Sequence, residues 1–362
     1  MNNNKKLLYI QPYHLKYYDV YDSFSLSSDS YIIGNTQFKE LKQFTYLNTE
    51  YWPKRAQFQR IYTKIKDLGK LIQNINFNFI ITKEIFSPLS YKISKMNKQI
   101  QFKHIIYCDE TTKIDNSLWG LFPITRHYAK YNVNCDNYYI ASSKLSIDNL
   151  LDMDVQRSNI LLMHISIYPE KFRESRLNDE CCNILFIGNL EVNKGIITII
   201  RAFNMISKKN IKLHIAGSGT LKAFVLDSVS KNRNIVYHGY VTEAYKIELL
   251  SKSDIFLYPS EDIMLPLNIR RWEEQGAVSA LEGMASGLPV IGSNSGALPE
   301  ILGKNVIINQ GDYLELAKQI LFLCSNYDIR KELHRYNIKR VNKEYNINKN
   351  KIILNGFLND IE

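Results

Sequence analysis

Glu274 and Glu282 bracket the start of the stretch EEQGAVSALEGMASGLPVIGSNSGALPE, with Gly276 just after the first carboxylate. The intervening AVSAL run is built of small and apolar helix formers, so a helix is expected from about Gly276. Glu274 then lies in the loop before it and Glu282 two turns inside. The N-terminus of a helix presents unpaired N–H groups and a positive dipole end, which suits a phosphate. A carboxylate beside such an anion site accepts hydrogen bonds from the hydroxyls of whatever the phosphate carries. The combination points to a sugar joined to a diphosphate. Two glutamates at this spacing also describe one solvated and one ion-paired helix residue, so the ordered tail that follows them carries the specificity.

Three further places offer chemistry. In GNLEVNKG, Lys194 stands at a strand-to-helix turn, where an ammonium neutralises charge building on a departing diphosphate. The AGSG turn puts Gly217 and Gly219 after an apolar run, a pattern that also fits a plain tight turn. In HIIYCDETT, Asp109 and Glu110 end a strand-like run. A carboxylate there accepts a proton or binds a sugar, and serves equally well as a loop cap. His14, His104 and His127 are isolated, with no metal-ligand spacing.

The elements that must hold these residues alternate in the second half. Strands are expected at 183–190, 211–219, 234–241, 254–260 and 289–296, with amphipathic helices between and after them. That alternation implies a parallel, doubly wound sheet with ligands at the carboxyl ends of its strands. Glu274 and the glycine turns fall at those ends. The first half is less regular, with strands expected at 7–11, 77–82, 103–110, 137–142 and 159–167, and helices at 60–75 and over SYKISKMNKQ. A second α/β domain accounts for these. The polar segment YPEKFRESRLNDE reads as the connection between the halves.

With 362 residues, 45% apolar and 23% charged, the chain has the size for two domains and the composition of a soluble globular protein. The terminal MNNNKKLLYIQPY has no apolar region of signal-peptide length and no stretch reaches membrane-spanning length, so a cytoplasmic location is expected. The five cysteines, including adjacent Cys181 and Cys182, show no C-x-x-C spacing and read as reduced thiols. Of the net charge of +10, residues 1–172 carry 22 Lys/Arg against 15 Asp/Glu. The bias favours an anionic partner or simply reflects a lysine-rich surface, and no basic run is long enough to suggest a nucleic-acid stripe.

Glu-x7-Glu followed by MASGLPVIGSNSGALPE resembles the donor-site signature of retaining GT-B glycosyltransferases, especially glycosyltransferase family four. The matching residues are Glu274, Glu282, Ala285, Gly287, Pro289, Val290, Gly296, Pro299 and Glu300. The resemblance covers residues 183–325 well and the first 172 in outline. It implies two Rossmann-like, doubly wound parallel-sheet domains facing a cleft, with closure over the donor. The expected domains are 1–172, with 345–362 packing back on it, and 183–344, joined by a 173–182 linker.

By the same resemblance, Glu274 serves the donor sugar, Glu282 the nucleotide ribose and Lys194 the diphosphate. Gly188, Asn189, Gly217, Gly219, Val241, Gln275, Gly276 and Ala277 complete the donor site. Asn189 departs from the usual arginine, for which Arg270 or Arg271 is a candidate substitute. Asp109 or Glu110 occupies the place of a customary histidine near the reacting carbon. The implied activity is retaining hexosyl transfer from a nucleotide-diphosphate sugar to an acceptor hydroxyl on a glycan or lipid-linked glycan, without metal or other cofactor. Peripheral contact with the anionic inner face of a membrane is compatible with the charge; nucleic acid is not expected as a partner. The alternatives are a catalytically degenerate GT-B-like scaffold or binding subunit, favoured by Asn189 and the missing histidine, and a basic module for lipid or nucleic acid.

Overall fold

Runs such as FIITK, KHIIYC and NILFI are rich in β-branched and aromatic residues and too uniformly apolar to face water on either side. Such strands belong in parallel sheets covered by helices on both faces. The computed structural model describes residues 5–11, 19–25, 29–34, 45–47, 51–52, 64–65, 67–176, 182–208 and 210–362. It divides into two units, residues 1–165 with 347–362, and residues 166–346. The division lies ahead of the 173–182 segment expected as the linker. Ser175 N–H donates to Ser286 O at 2.8 Å and Phe172 packs on the second unit's core, so the polar stretch begins inside that unit.

The first unit contains β1 (Leu7–Gln11), β2 (Ser30–Gly34), β3 (Thr45–Tyr46), an antiparallel pair β4 (Tyr51–Trp52) and β5 (Lys64–Ile65), then β6 (Phe79–Lys83), β7 (Lys103–Cys108), β8 (Tyr138–Ala141) and β9 (Ile160–Leu162). Its main sheet is parallel in the order β3-β2-β1-β6-β7-β8-β9. Leu7, Tyr9, Phe79, Ile81, Ile105 and Tyr107 face one side, where Leu354 and Leu358 of the last helix, Ile347–Asp360, cover them. Leu8, Ile10 and Ile80 face the other, against helices Leu68–Ile75 and Pro88–Asn97. The latter helix starts cleanly because Pro88 opens its first turn and Ser87 Oγ accepts from Ser90 N–H at 3.0 Å.

Several expectations shift here. The 159–167 run yields a strand only to Leu162, after which Ile167 bridges to Asn346 in the second unit. The 60–75 helix begins at Leu68, with β5 at 64–65 and the intervening start of the run outside the described residues. Strand β2 went unread because SYIIG is short and flanked by polar residues.

The second unit holds β10 (Cys182–Ile187), β11 (Ile211–Ala216), β12 (Ile235–Gly239), β13 (Ile255–Tyr258), an antiparallel ribbon β14 (Ile263–Leu265) and β15 (Ile269–Trp272), then β16 (Val290–Ser293) and β17 (Val306–Ile308). The parallel order β12-β11-β10-β13-β16-β17 is doubly wound and reverses between β10 and β13. Alternate residues sort to opposite faces, as the two-residue period of a strand requires. Ile184, Phe186, Ile255 and Leu257 pack under helices Ile196–Asn204 and Tyr313–Ser325. Leu185, Phe256 and Val290 pack under helix Val278–Ala285. Each of these fully buried side chains contributes about 1.5–3 kcal/mol. Among the described residues, no helix is long and apolar enough to cross a membrane.

Candidate active site

Because the second sheet reverses between β10 and β13, the helices following these two strands leave on opposite faces, and a crevice opens at their carboxyl ends. Lys194 follows β10 and Glu274 follows β13 by way of the β14–β15 ribbon. They meet there: Lys194 Nζ lies 2.7 Å from Glu274 Oε2. Ser260 Oγ donates to the same oxygen at 2.9 Å, and Ala277 N–H donates to Oε1 at 3.1 Å. Burial by itself raises the Glu274 carboxyl, but Lys194, Ser260 and the Ala277 amide outweigh it and hold the group below its ordinary value. Glu274 is therefore a fixed anion at neutral pH.

The backbone around Glu274 is pinned from the next strand. Its N–H donates to Ser295 Oγ at 3.1 Å, Ser295 Oγ donates to Asp262 Oδ1 at 2.6 Å, and Ala297 N–H donates to Glu274 O at 2.8 Å. Gly296, at φ 47°, lies so close that a Cβ there would stand 2.1 Å from Glu274 O. The same holds at the neighbouring turn, where a Cβ on Gly217 (φ 140°) would stand 1.8 Å from Gly188 O. These glycines let the β10, β11 and β16 turns crowd together at the carboxyl edge.

Lys194 is held by more than its counter-ion. Its ammonium lies 4.5 Å from the Trp272 ring centroid and 5.5 Å from that of Tyr258, with the Tyr258 hydroxyl 3.4 Å away. Trp272 ends the ribbon, an element the sequence did not announce. The same ribbon carries both cations considered as substitutes for an arginine at Asn189. Arg270 pairs with Asp262 (Nε–Oδ2 3.2 Å) and Glu273 (Nη1–Oε2 2.9 Å), while Arg271 is exposed. Asn189 is exposed just after β10.

Glu282 lies one turn inside its helix rather than two, because the helix begins at Val278. It is buried, and Lys246 Nζ approaches its Oε1 at 2.5 Å while also pairing with Glu243 at 2.8 Å. Burial works against the Lys246 charge, but the two glutamates overcome it and raise its pKa. Lys246 carried no motif and was missed. Gly188 and Gly219 line the same edge, Gln275 and Gly276 are half-buried beside Glu274, and Val241 packs on the core below Tyr240, which is 86% exposed.

Ala277 caps the Glu282 helix in the left-handed region (φ 41°, ψ 44°) with its side chain buried. An L-residue there costs about 1–2 kcal/mol. Ala277→Gly is expected to stabilise the protein by roughly 0.5–1 kcal/mol, since strain relief exceeds the added chain entropy and the lost methyl contact. Thermal unfolding should show a rise of about 1–4 °C; an unchanged or lower midpoint counts against the strain.

The first unit places Asp109 directly after β7, buried, with Lys83 Nζ 2.5 Å from its Oδ2. Glu110 is half-buried, and its carbonyl accepts from Ser146 Oγ and Asn149 Nδ2, both at 3.2 Å, tying the loop to helix Lys144–Leu151. Lys83 and Glu84 were not singled out from the sequence, where the expected strand stops at 82. Among the described residues, no cluster of three or more His, Cys, Asp or Glu is arranged to hold a metal ion.

Residues 168–340 match the family model for glycosyl transferases group 1. An uncharacterized glycosyltransferase of Methanocaldococcus jannaschii is 34% identical over 37% of this chain and 33% of its own length. The amylovoran biosynthesis glycosyltransferase of Erwinia amylovora is 28% identical over 50% of this chain and 46% of its own. The chain thus spans about a third to a half of the length of these curated relatives. A crystal structure of an Anabaena protein in complex with UDP superposes with a TM-score of 0.77 at 12% identity, over 98% of this chain and all of the other. That likeness is one of fold, and the fold is GT-B.

Proposed function

We propose that this chain, whose residues 168–340 fall within the group 1 glycosyl transferases, is a retaining glycosyltransferase that uses a nucleotide-diphosphate sugar. The observation that carries the proposal is the 2.7 Å contact between Lys194 and Glu274, which joins a cation and a sugar-binding carboxylate at the switch point of a doubly wound sheet. In this reading, Lys194 and the turn at the start of helix Ile196–Asn204 take the diphosphate, and Lys194 leaves Glu274 to do so. Glu274 then accepts from donor-sugar hydroxyls, and Glu282 accepts from the ribose diol in exchange for Lys246.

The Lys194 ammonium neutralises charge on the leaving diphosphate as the glycosidic bond breaks. Retention follows if the acceptor hydroxyl attacks the face the diphosphate leaves and gives its proton to a phosphate oxygen. Lys194 and the turn suffice for the charge in this account, which invokes no metal. A UDP-bound structural relative and a relative in capsular polysaccharide biosynthesis support a uridine donor and a glycan acceptor, with Asp109 and Glu110 on the acceptor side.

A panel of UDP-, GDP- and ADP-linked sugars tests the proposal by thermal shift and by nucleotide release without acceptor. Stabilisation with slow donor hydrolysis is the expected result for one base. No response to any donor overturns the proposal and favours the non-catalytic GT-B scaffold.

A further inference from the structure

Glu84 follows β6 with φ 63°, a backbone value costing about 1–2 kcal/mol for an L-residue. It is 3% exposed. Its Oε1 accepts the Asp109 N–H at 3.1 Å, and its own N–H donates to Tyr107 O at 2.8 Å. Its other oxygen, Oε2, is buried with no hydrogen-bond partner among the described residues. The Asp109 carboxyl lies within hydrogen-bonding reach, and Asp109 is held on its other side by Lys83. The first sheet reverses between β1 and β6, so Glu84 and Asp109 stand at the carboxyl edge where doubly wound sheets bind ligands.

A bare, buried carboxylate oxygen on a group beside a second carboxylate is costly. One proton removes that cost and supplies the missing donor. We infer that Glu84 and Asp109 hold a single proton, with Glu84 the acid that donates to the Asp109 carboxylate. With Lys83 the pair forms a neutral site that accepts a hydroxyl of a sugar or other polyol acceptor, Glu84 acting as the positioning residue. The site rests on the reading of Asp109 as an acceptor-side group. Burial first, then the Asp109 carboxyl, holds Glu84 well above the usual carboxylate range; Lys83 opposes them and Glu110 adds to them. Cys108 and the Tyr107 ring are the other ionisable neighbours, the ring 5.7 Å from Lys83 Nζ. Asp109 keeps a tenth of its side-chain surface exposed, through which a hydroxyl reaches it.

Two measurements on the full chain test this separately. The infrared difference spectrum of wild type minus Glu84→Gln at pH 7 should contain a protonated-carboxyl C=O stretch. Its absence overturns the shared proton, whether or not any transfer has been detected. In steady-state assays with the donor found active, Glu84→Ala should raise the acceptor KM by about tenfold or more, the value of one hydrogen bond to a charged group. The donor KM should not move. Glu84→Gln, which keeps a donor toward Asp109, should recover most of that loss and remove the alkaline limb of the pH profile. An unchanged acceptor KM in Glu84→Ala, or a pH profile of Glu84→Gln that superposes on wild type, overturns the hydroxyl-binding role. Failure of every donor removes the transferase reading and with it the acceptor role, while the infrared result still decides the proton.

Discussion

Glu274→Ala is expected to lower transfer from a nucleotide sugar by about a thousandfold, the scale on which removing a preorganised polar group from an active site acts. The carboxylate is buried, and Ser260 and the Ala277 amide hold it in place when Lys194 turns to the diphosphate. Little reorganisation is therefore left for the moment of reaction. Glu274→Gln keeps the shape and an acceptor toward Ala277 but loses the charge, so it should fall between wild type and alanine. Lys194→Ala should lower activity on a similar scale through the leaving diphosphate. The double variant should be little worse than the poorer single one, because the two side chains act as a unit.

Stability gives the control. Breaking a fully buried ion pair costs about 3–5 kcal/mol. Lys194 keeps 19% of its side chain exposed and rests on Trp272, so the Glu274 variants should lose only about 1–2 kcal/mol and remain folded. Folded Glu274→Ala with activity within tenfold of wild type sinks the assignment.

The sequence and the geometry agree where a residue's role follows from its position along an element. Lys194 was legible because it sits in the turn after a strand whose period is plain, and Glu274 because it precedes a run of small helix formers; the doubly wound order brings the turns after β10 and β13 together whatever fills the space between. Position along the chain does not say which side chains touch. Trp272 over Lys194 and Lys246 on Glu282 depend on the ribbon and on helix Glu243–Ser251, and neither has a local signature. The β14–β15 strands are three and four residues long, below the length at which alternation can be read. Glu84 was invisible for a different reason. Its interest lies in a left-handed backbone and an orphaned oxygen, and neither has a composition. Most strands stop a few residues short of the expected bound, because the glycine, serine and acidic residues counted at their ends belong to the turns.

Acid is expected to weaken the first unit through His104, a residue that sequence spacing left without a role. The imidazole is fully buried among hydroxyls and an amide. Thr82 Oγ1 lies 2.8 Å from Nε2, and Ser94 Oγ and Asn137 Oδ1 lie 3.0 and 3.1 Å from Nδ1. Asn137 Nδ2 in turn donates to Ser94 Oγ at 2.9 Å. The neutral ring satisfies this set by donating from Nδ1 and accepting at Nε2 from Thr82, whereas an imidazolium finds no carboxylate among these partners to meet its charge. Burial pushes the His104 pKa down to about 3, with the Asn137 contact opposing it weakly. In the unfolded chain the ring titrates near its ordinary value of about 6.5. Between those two values the unfolded state binds the extra proton, so the stability His104 confers is complete above pH 6.5 and lost as pH falls toward 3. The loss approaches roughly 5 kcal/mol at the acid end, at about 1.4 kcal/mol per pH unit. Carboxyl groups also take up protons as the pH falls, so the useful quantity is the difference between wild type and His104→Gln. Urea unfolding at pH 7.0, 6.0 and 5.0 measures it, using a signal confined to the first unit. Wild type should be the more stable at pH 7, and its advantage should shrink with each step down. A gap that stays constant over this range rejects the buried neutral imidazole.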